Sequence, residues 1–430
     1  MTESRALTRR LGTRDAVVIG LGSMIGAGVF SAFGPAAAAA GTGLLIGLVL
    51  AAGVAYCNAT ASAQLAAEYP TSGGTYVYGR ERLGEWWGFV AGWGFVVGKT
   101  ASCAAMALTF AAYAIDGPRW LERAVAAFAV LVLAAVNLRG ITRTAALARI
   151  LVAVSILALA VVVAAIATSG DAHSANLGSL SALGSGGAYG VLQSAGLLFF
   201  AFAGYARVAT LGEEVLDPGR TIPRAILIAL AVTVAVYLVV AVAVLLAAGP
   251  ARLGAGTTPI ATAVDAVGAE WASRVVQIGA AVASLGSLLA LIAGLGRTTL
   301  AMARTADLPR WLASVHPTTG VPDHAELAVA LVVTVLVLTS DLRGAIGFSS
   351  FGVLVYYAVA NAAAFTQETA HRRFPRALQA VGFAACLTLV ATLPLSSVVA
   401  GVIVFAAGIA GRLLMLRRRS TGIMRGNPRP

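Results

Sequence analysis

The sequence predicts an all-α integral membrane protein of about twelve transmembrane helices, and three observations carry that prediction. Of the 430 residues, 59% are hydrophobic and only 11% are charged, too few charges to coat a soluble domain of this length; the mean hydropathy is +0.87. Uncharged runs reach membrane length, at Ile150 to Ser169 and Ala225 to Pro250, each meeting the ~20 residues that cross a ~30 Å hydrocarbon core as a helix. Lipid offers no hydrogen-bond partners, so spanning segments are helices or closed barrels, and these runs are too long and too continuously apolar for barrel strands.

Taken in order, the spans read at 15–33, 43–67, 86–115, 121–137, 144–168, 188–211, 223–248, 271–303, 325–340, 344–366, 377–393 and 395–415, with a tail at 1–14 and a basic tail at 416–430. The first apolar segment lacks an A-x-A-type exit and reads as a working helix rather than a cleavable signal peptide. An even number of spans puts both termini on one face. Of the 30 basic residues, 23 fall toward that face, 5 toward the other (Arg119, Arg123, Arg252, Arg274, Arg343), and Lys99 and Arg207, inside spans, are assigned to neither. Basic residues collect in cytoplasmic loops, so both termini are expected in the cytoplasm. The net charge of +12 is thereby topological and calls for no nucleic-acid partner. Arg417 to Arg419 read as a stop-transfer flank on anionic lipid. Cys57, Cys103 and Cys386 all fall in spans and make neither a disulfide framework nor a metal-ligand spacing. The four histidines lie in loops without a metal pattern. The Ala, Gly, Val and Arg bias points to a GC-rich bacterial genome, hence to a bacterial inner membrane.

The first span carries GLGSMIGAGVF at Gly20 to Phe30, four glycines within nine residues, each weakening a helix by up to ~1 kcal/mol. Two readings stay open. Gly22 and Gly26 form a small-xxx-small pair suited to tight packing, or the helix is discontinuous and its freed amides bind a ligand at mid-membrane. Glycines and Ser23 crowd the whole circumference, which favours the broken helix. A nucleotide-binding loop is disfavoured, since no strand precedes the glycines and the spacing is not G-x-G-x-x-G. The sixth span reads FFAFAGY at Phe199 to Tyr205, followed by EEVLDPGRTIP at Glu213 to Pro223. Its Gly204 gains weight from its position, because inverted-repeat transporters pair the first helix with the sixth.

These strings resemble the signatures of the amino acid–polyamine–organocation (APC) superfamily of permeases. So do EYPTSGGTYVY at Glu68 to Tyr78, Trp87-Gly88-Phe89, Gly92-Trp93, and Ala303-Arg304 through Asp307-Leu308-Pro309. The motifs run in family order from about residue 15 to 325. The resemblance implies a five-plus-five inverted repeat (15–168 and 188–366), two extra C-terminal helices (377–415), and alternating access around a midplane amino-acid site without enzymatic chemistry or a cofactor. It implies that amides of Ile25, Gly26, Ala27 and Gly28 receive the substrate carboxylate. The ammonium would meet carbonyls around Gly22, Ser23 and Phe200 to Ala203, beside Gly204. Phe200 stands where relatives often gate with an aromatic ring, with ordinary packing as its other reading. Met106 and Leu291 are weaker wall candidates, Ser349 and Ser350 weaker still.

Three departures qualify what carries over. Ser155 stands where some relatives have a coupling lysine in the fifth span, and Ala206 stands where many carry an acid after the helix-six glycine. All 18 acidic residues map to loops or span ends, so no midplane anion awaits a cationic side chain. Intramembrane charges are functional candidates by default. Arg207 is a candidate gate that would otherwise snorkel or pair with Glu213 or Glu214. Lys99 is the one lysine beside 29 arginines, about 20 Å along its helix from Trp86 at ~1.5 Å per residue. A lysine there can couple transport to protons, meet the substrate carboxylate, or donate structurally to carbonyls of the first or eighth span. The expected function is secondary active transport of an amino acid, coupled to protons in preference to sodium, by symport or exchange; no G-x-x-x-x-G-K-[ST] loop is present for ATP. An amino-acid sensor on the same fold and a polyamine or organocation transporter are the alternatives. An integral-membrane enzyme is disfavoured by the missing acid–base or metal cluster.

Overall fold

The computed structural model describes residues 11–71, 73–140, 145–177 and 186–425, the side chains of 145–148 and 418–425 excepted. Expectations for most of the N-terminal tail, Ser72, Arg143, the side chains beyond Arg417 and the last five residues lie outside the described residues.

The first span is split into α1 (Thr13–Met24) and α2 (Ala27–Ser31), and α3 (Phe33–Ala40) prolongs it. Then follow α4 (Leu44–Glu68), the short α5 (Thr75–Leu83), α6 (Glu85–Ala114), α7 (Arg119–Leu138) and α8 (Ala145–Thr168). The sixth span is α9 (Gly187–Phe202), a 3₁₀ turn (Ala203–Tyr205) and α10 (Ala206–Ala209). Beyond it lie α11 (Pro218–Ala255), α12 (Pro259–Ala266), α13 (Glu270–Arg304), α14 (Asp323–Thr339), α15 (Leu342–Phe365), α16 (Arg376–Thr392) and α17 (Leu395–Arg425). Helix α11 bends at Gly249, whose φ of 69° is left-handed and precedes Pro250.

Among the described residues, ten helical segments are long and apolar enough to cross a membrane. The predicted spans at 325–340 and 377–393 are the 17-residue α14 and α16, short of ~20 residues for an upright crossing. Helices α3, α5 and α12 were not expected; each is a short segment of eight or nine residues, where apolar periodicity is too brief to register.

Alanine and glycine set the spacing of the bundle. Where α6 meets α15, a Cβ at Gly98 would lie 3.0 Å from the Ser349 carbonyl, and one at Gly352 only 2.7 Å from the Gly98 Cα. Such backbone approach suits lipid, where helices associate by packing rather than by the hydrophobic effect. Large apolar side chains point outward instead, among them Phe128, Leu131, Leu157, Val402 and Ile403. That is the surface expected of a bundle solvated by hydrocarbon.

Candidate functional site

The first span breaks at Ile25 and Gly26, whose backbone angles (φ −81°, ψ 61° and φ −116°, ψ −140°) leave the helical region. Its four glycines meet four different sets of neighbours. A Cβ at Gly20 would press on Val208 and Ala229, at Gly22 on Val152, at Gly26 on the Ser287 hydroxyl, and at Gly28 on the Ala201 backbone. Close packing and a broken helix therefore coexist here. The sixth span loosens to its 3₁₀ turn at Ala203–Tyr205, and Gly204 sits against the Ser23 carbonyl. The two interruptions face each other.

Of the four amides singled out from sequence, Ile25 N–H donates to Leu21 O at 2.6 Å and Gly26 N–H to Met24 O at 2.9 Å. Those of Ala27 and Gly28 open α2, where a helix has no acceptor of its own for the first N–H groups. The Ser23 hydroxyl donates back to Ile19 O at 2.8 Å. Phe200 is buried, while Met106 and Leu291 are partly buried against the same core. The Ser349 hydroxyl shares a 2.6 Å hydrogen bond with Ser102, and Ser350 is buried without a partner.

Lys99 reaches this junction. Gly98 seats α6 on α15, and the next residue points ~100° farther round the helix. Lys99 is 7% exposed, and its ammonium donates to the Ala203 carbonyl at 3.0 Å. The expected structural acceptors were in the first or eighth span, yet the observed one belongs to the sixth, at its 3₁₀ turn. Arg207 donates to the Thr210 hydroxyl at 3.1 Å and lies 4.0 Å from Glu214, so it faces the mouth of the bundle and not the junction.

Two residues of the junction escaped the sequence reading. The Tyr237 hydroxyl of α11 donates to Met24 O at 2.6 Å and lies 3.2 Å from Ala201 O, tying both interrupted spans together. Ser287 of α13 fills the space beside Gly26. A lone tyrosine or serine in an apolar span carries no periodic signal, so neither was legible.

At one end of the bundle Asp307, 3% exposed, accepts from Arg412 (2.9 Å), Arg80 (3.3 Å) and the Tyr76 hydroxyl (2.7 Å). Burial pushes the Tyr76 phenol up to about 12, which keeps it protonated as a donor. The Arg412 guanidinium also lies over Trp86 and Phe89, 4.5 and 4.8 Å from their ring centres. Nearby, Glu68 pairs with Arg82 at 3.6 Å and accepts from Gln367, while Arg82 donates to the Thr366 carbonyl. Among the described residues no group of His, Cys, Asp or Glu is arranged to hold a metal.

A family model described as amino acid permease matches residues 11–415. The chain is 59% identical to an uncharacterized transporter of Mycobacterium tuberculosis over 96% of this chain and 94% of that one. It is 29% identical to a branched-chain amino acid permease of Bacillus subtilis (73% of this chain, 71% of that one). It is also 29% identical to a chloroplastic cationic amino acid transporter of Arabidopsis thaliana (84% of this chain, 65% of that one).

Proposed function

From the premise that this chain belongs to the amino acid permease family, we propose that it carries amino acids across the bacterial cytoplasmic membrane by alternating access, with both termini in the cytoplasm. The observation that supports this most is the meeting of two interrupted spans, α1–α2 and α9–α10, with one buried ammonium between α6 and Ala203. The same pairing of first and sixth spans supports a five-plus-five inverted repeat followed by two C-terminal helices.

A substrate carboxylate fits the Ala27 and Gly28 amides, where the positive end of a helix favours an anion. Its ammonium fits the carbonyl-rich end of α9, near Ala203 and Gly204, where the negative end of a helix favours a cation. Met106, Phe200 and Leu291 supply apolar wall. No carboxylate bonds to the junction among the described residues, so a neutral amino acid suits it better than a cationic one. An unpaired charge in an apolar site is costly. Lys99 is the coupling residue of this reading, taking and releasing a proton as the junction opens and closes.

Purified protein in proteoliposomes, given a panel of labelled L-amino acids under imposed proton or sodium gradients, tests the proposal. Accumulation of label driven by a proton gradient is expected. Saturable binding without accumulation points to a sensor, and neither binding nor accumulation contradicts the amino-acid reading.

A further inference from the structure

The sixteen-residue α9 gives way after Phe202 to the 3₁₀ turn at Ala203–Tyr205, and where a helix is interrupted its carbonyl end carries partial negative charge. Cations settle at such ends, and here the cation is the protein's own: Lys99 donates to Ala203 O at 3.0 Å. The carbonyls next to it are already engaged. Met24 O accepts from Tyr237 and from the Gly26 amide, Ala201 O faces the same tyrosine hydroxyl, and Ser23 O is covered by Gly204.

We infer that a cargo ammonium and the Lys99 ammonium compete for the Ala203 carbonyl, so that cargo binding expels one proton and transport is proton–amino acid exchange. The inference rests on the amino-acid reading of this site. Two ammonium groups on one carbonyl oxygen stand about 5–6 Å apart, and at an effective dielectric of ~20 their repulsion weakens binding on the order of a hundredfold. Loss of the lysine proton to solvent removes the repulsion and leaves a neutral amine beside the bound cargo. A site that accommodates proton or cargo, and not both, exchanges one for the other.

Lys99 has no ion-pair partner among the described residues to hold its charge once cargo arrives. Cys103 lies one turn along α6 from it. The sixth span brings Tyr205, and α15 brings Tyr356, packed on Phe95 one turn back from Lys99, with Tyr357 beside it. The other elements against α6 carry their charges toward their ends or outside the spans: Arg80, Glu81 and Arg82 on α5, Arg119, Glu122 and Arg123 on α7, Glu270, Arg274, Arg297 and Arg304 on α13, Asp323, His324 and Glu326 on α14, Arg412 and Arg417 on α17.

The test is equilibrium binding of labelled standard L-amino acids to the purified full-length protein, with proton release followed by an indicator dye in weak buffer. Wild type should release about one proton per cargo bound, and its affinity should tighten about tenfold per pH unit while Lys99 is protonated in the empty site. The matching 2-keto acid, which lacks the ammonium, should release none. Lys99→Arg cannot deprotonate, so its affinity should not vary with pH and should lie about a hundredfold below the wild-type value reached once Lys99 is neutral. Whatever affinity Lys99→Met retains should not vary with pH and should release no proton. Binding by wild type without proton release overturns the inference, as does a Lys99→Arg protein that binds like wild type. If Lys99→Arg fails to insert, wild-type proton release and Lys99→Met decide it. A wild type that binds none of the panel instead overturns the cargo reading underneath.

Discussion

At Gly26 a side chain has nowhere to go, because its first carbon would overlap the Ser287 hydroxyl while the backbone there has left the helix. Overpacking of that kind costs ~1–3 kcal/mol, tolerable for a large bundle but ruinous for a ligand seat beside Ala27 and Gly28. Gly26→Leu should therefore yield a membrane-inserted, monodisperse protein that binds no amino acid. Size-exclusion chromatography alongside a binding assay checks it, and normal binding by that variant puts the seat elsewhere. Tyr237→Phe keeps the ring contacts with Phe33 and Phe202 but leaves the Met24 carbonyl without its hydroxyl donor. It should lose about 1–2 kcal/mol of stability, the cost of one buried hydrogen bond, measured by thermal unfolding in detergent with no change in insertion. The glycine crowding was legible because glycine is costly in any helix. Lys99 was legible because a charge at mid-membrane is rare. Its acceptor was not, since nothing in the α6 sequence says which carbonyl of another helix ends up 3.0 Å away.

The last helix, α17, illustrates what an element can gain from one residue. Its apolar window is only 11% buried inside the bundle, yet Arg412 reaches inward to Asp307 and to the Glu85 carbonyl at 2.9 Å each. Removing one partner of a buried ion pair costs ~3–5 kcal/mol. Arg80 still faces Asp307, so Arg412→Ala should sit at the low end, about 3 kcal/mol. Arg220→Ala removes an ion pair whose side chains are 79% and 61% exposed and should cost well under ~1 kcal/mol. Thermal unfolding of the two variants side by side checks this; equal losses would mean that the Asp307 cluster does not hold α17. Some helix positions followed from apolar runs almost residue by residue, as with α4 at Leu44–Glu68 against 43–67 and α6 at Glu85–Ala114 against 86–115, whereas α11 at Pro218–Ala255 outruns the expected 223–248 at both ends. The Arg412 anchor was hidden among residues that read only as a basic flank. A flank arginine and a buried one look alike until a fold brings Asp307 to meet it.

For the whole molecule, the 23-to-5 division of basic residues predicts which face each loop occupies. Cysteines replacing Arg373 and Arg252, both on exposed positions, should react with an impermeant maleimide from opposite faces. The background is low because Cys57, Cys103 and Cys386 are all buried. Labelling of both from one face contradicts the topology. In the proposed transport cycle the two interrupted spans form one seat that opens to each side of the membrane in turn. Phe200, buried beside the α9 break, offers the most direct measurement, the reactivity of Phe200→Cys toward impermeant maleimide applied from either face of oriented membranes. Modification from both faces is expected, slowed on both by the transported amino acid. Modification from one face only, or no protection by any amino acid that the protein binds, would contradict it.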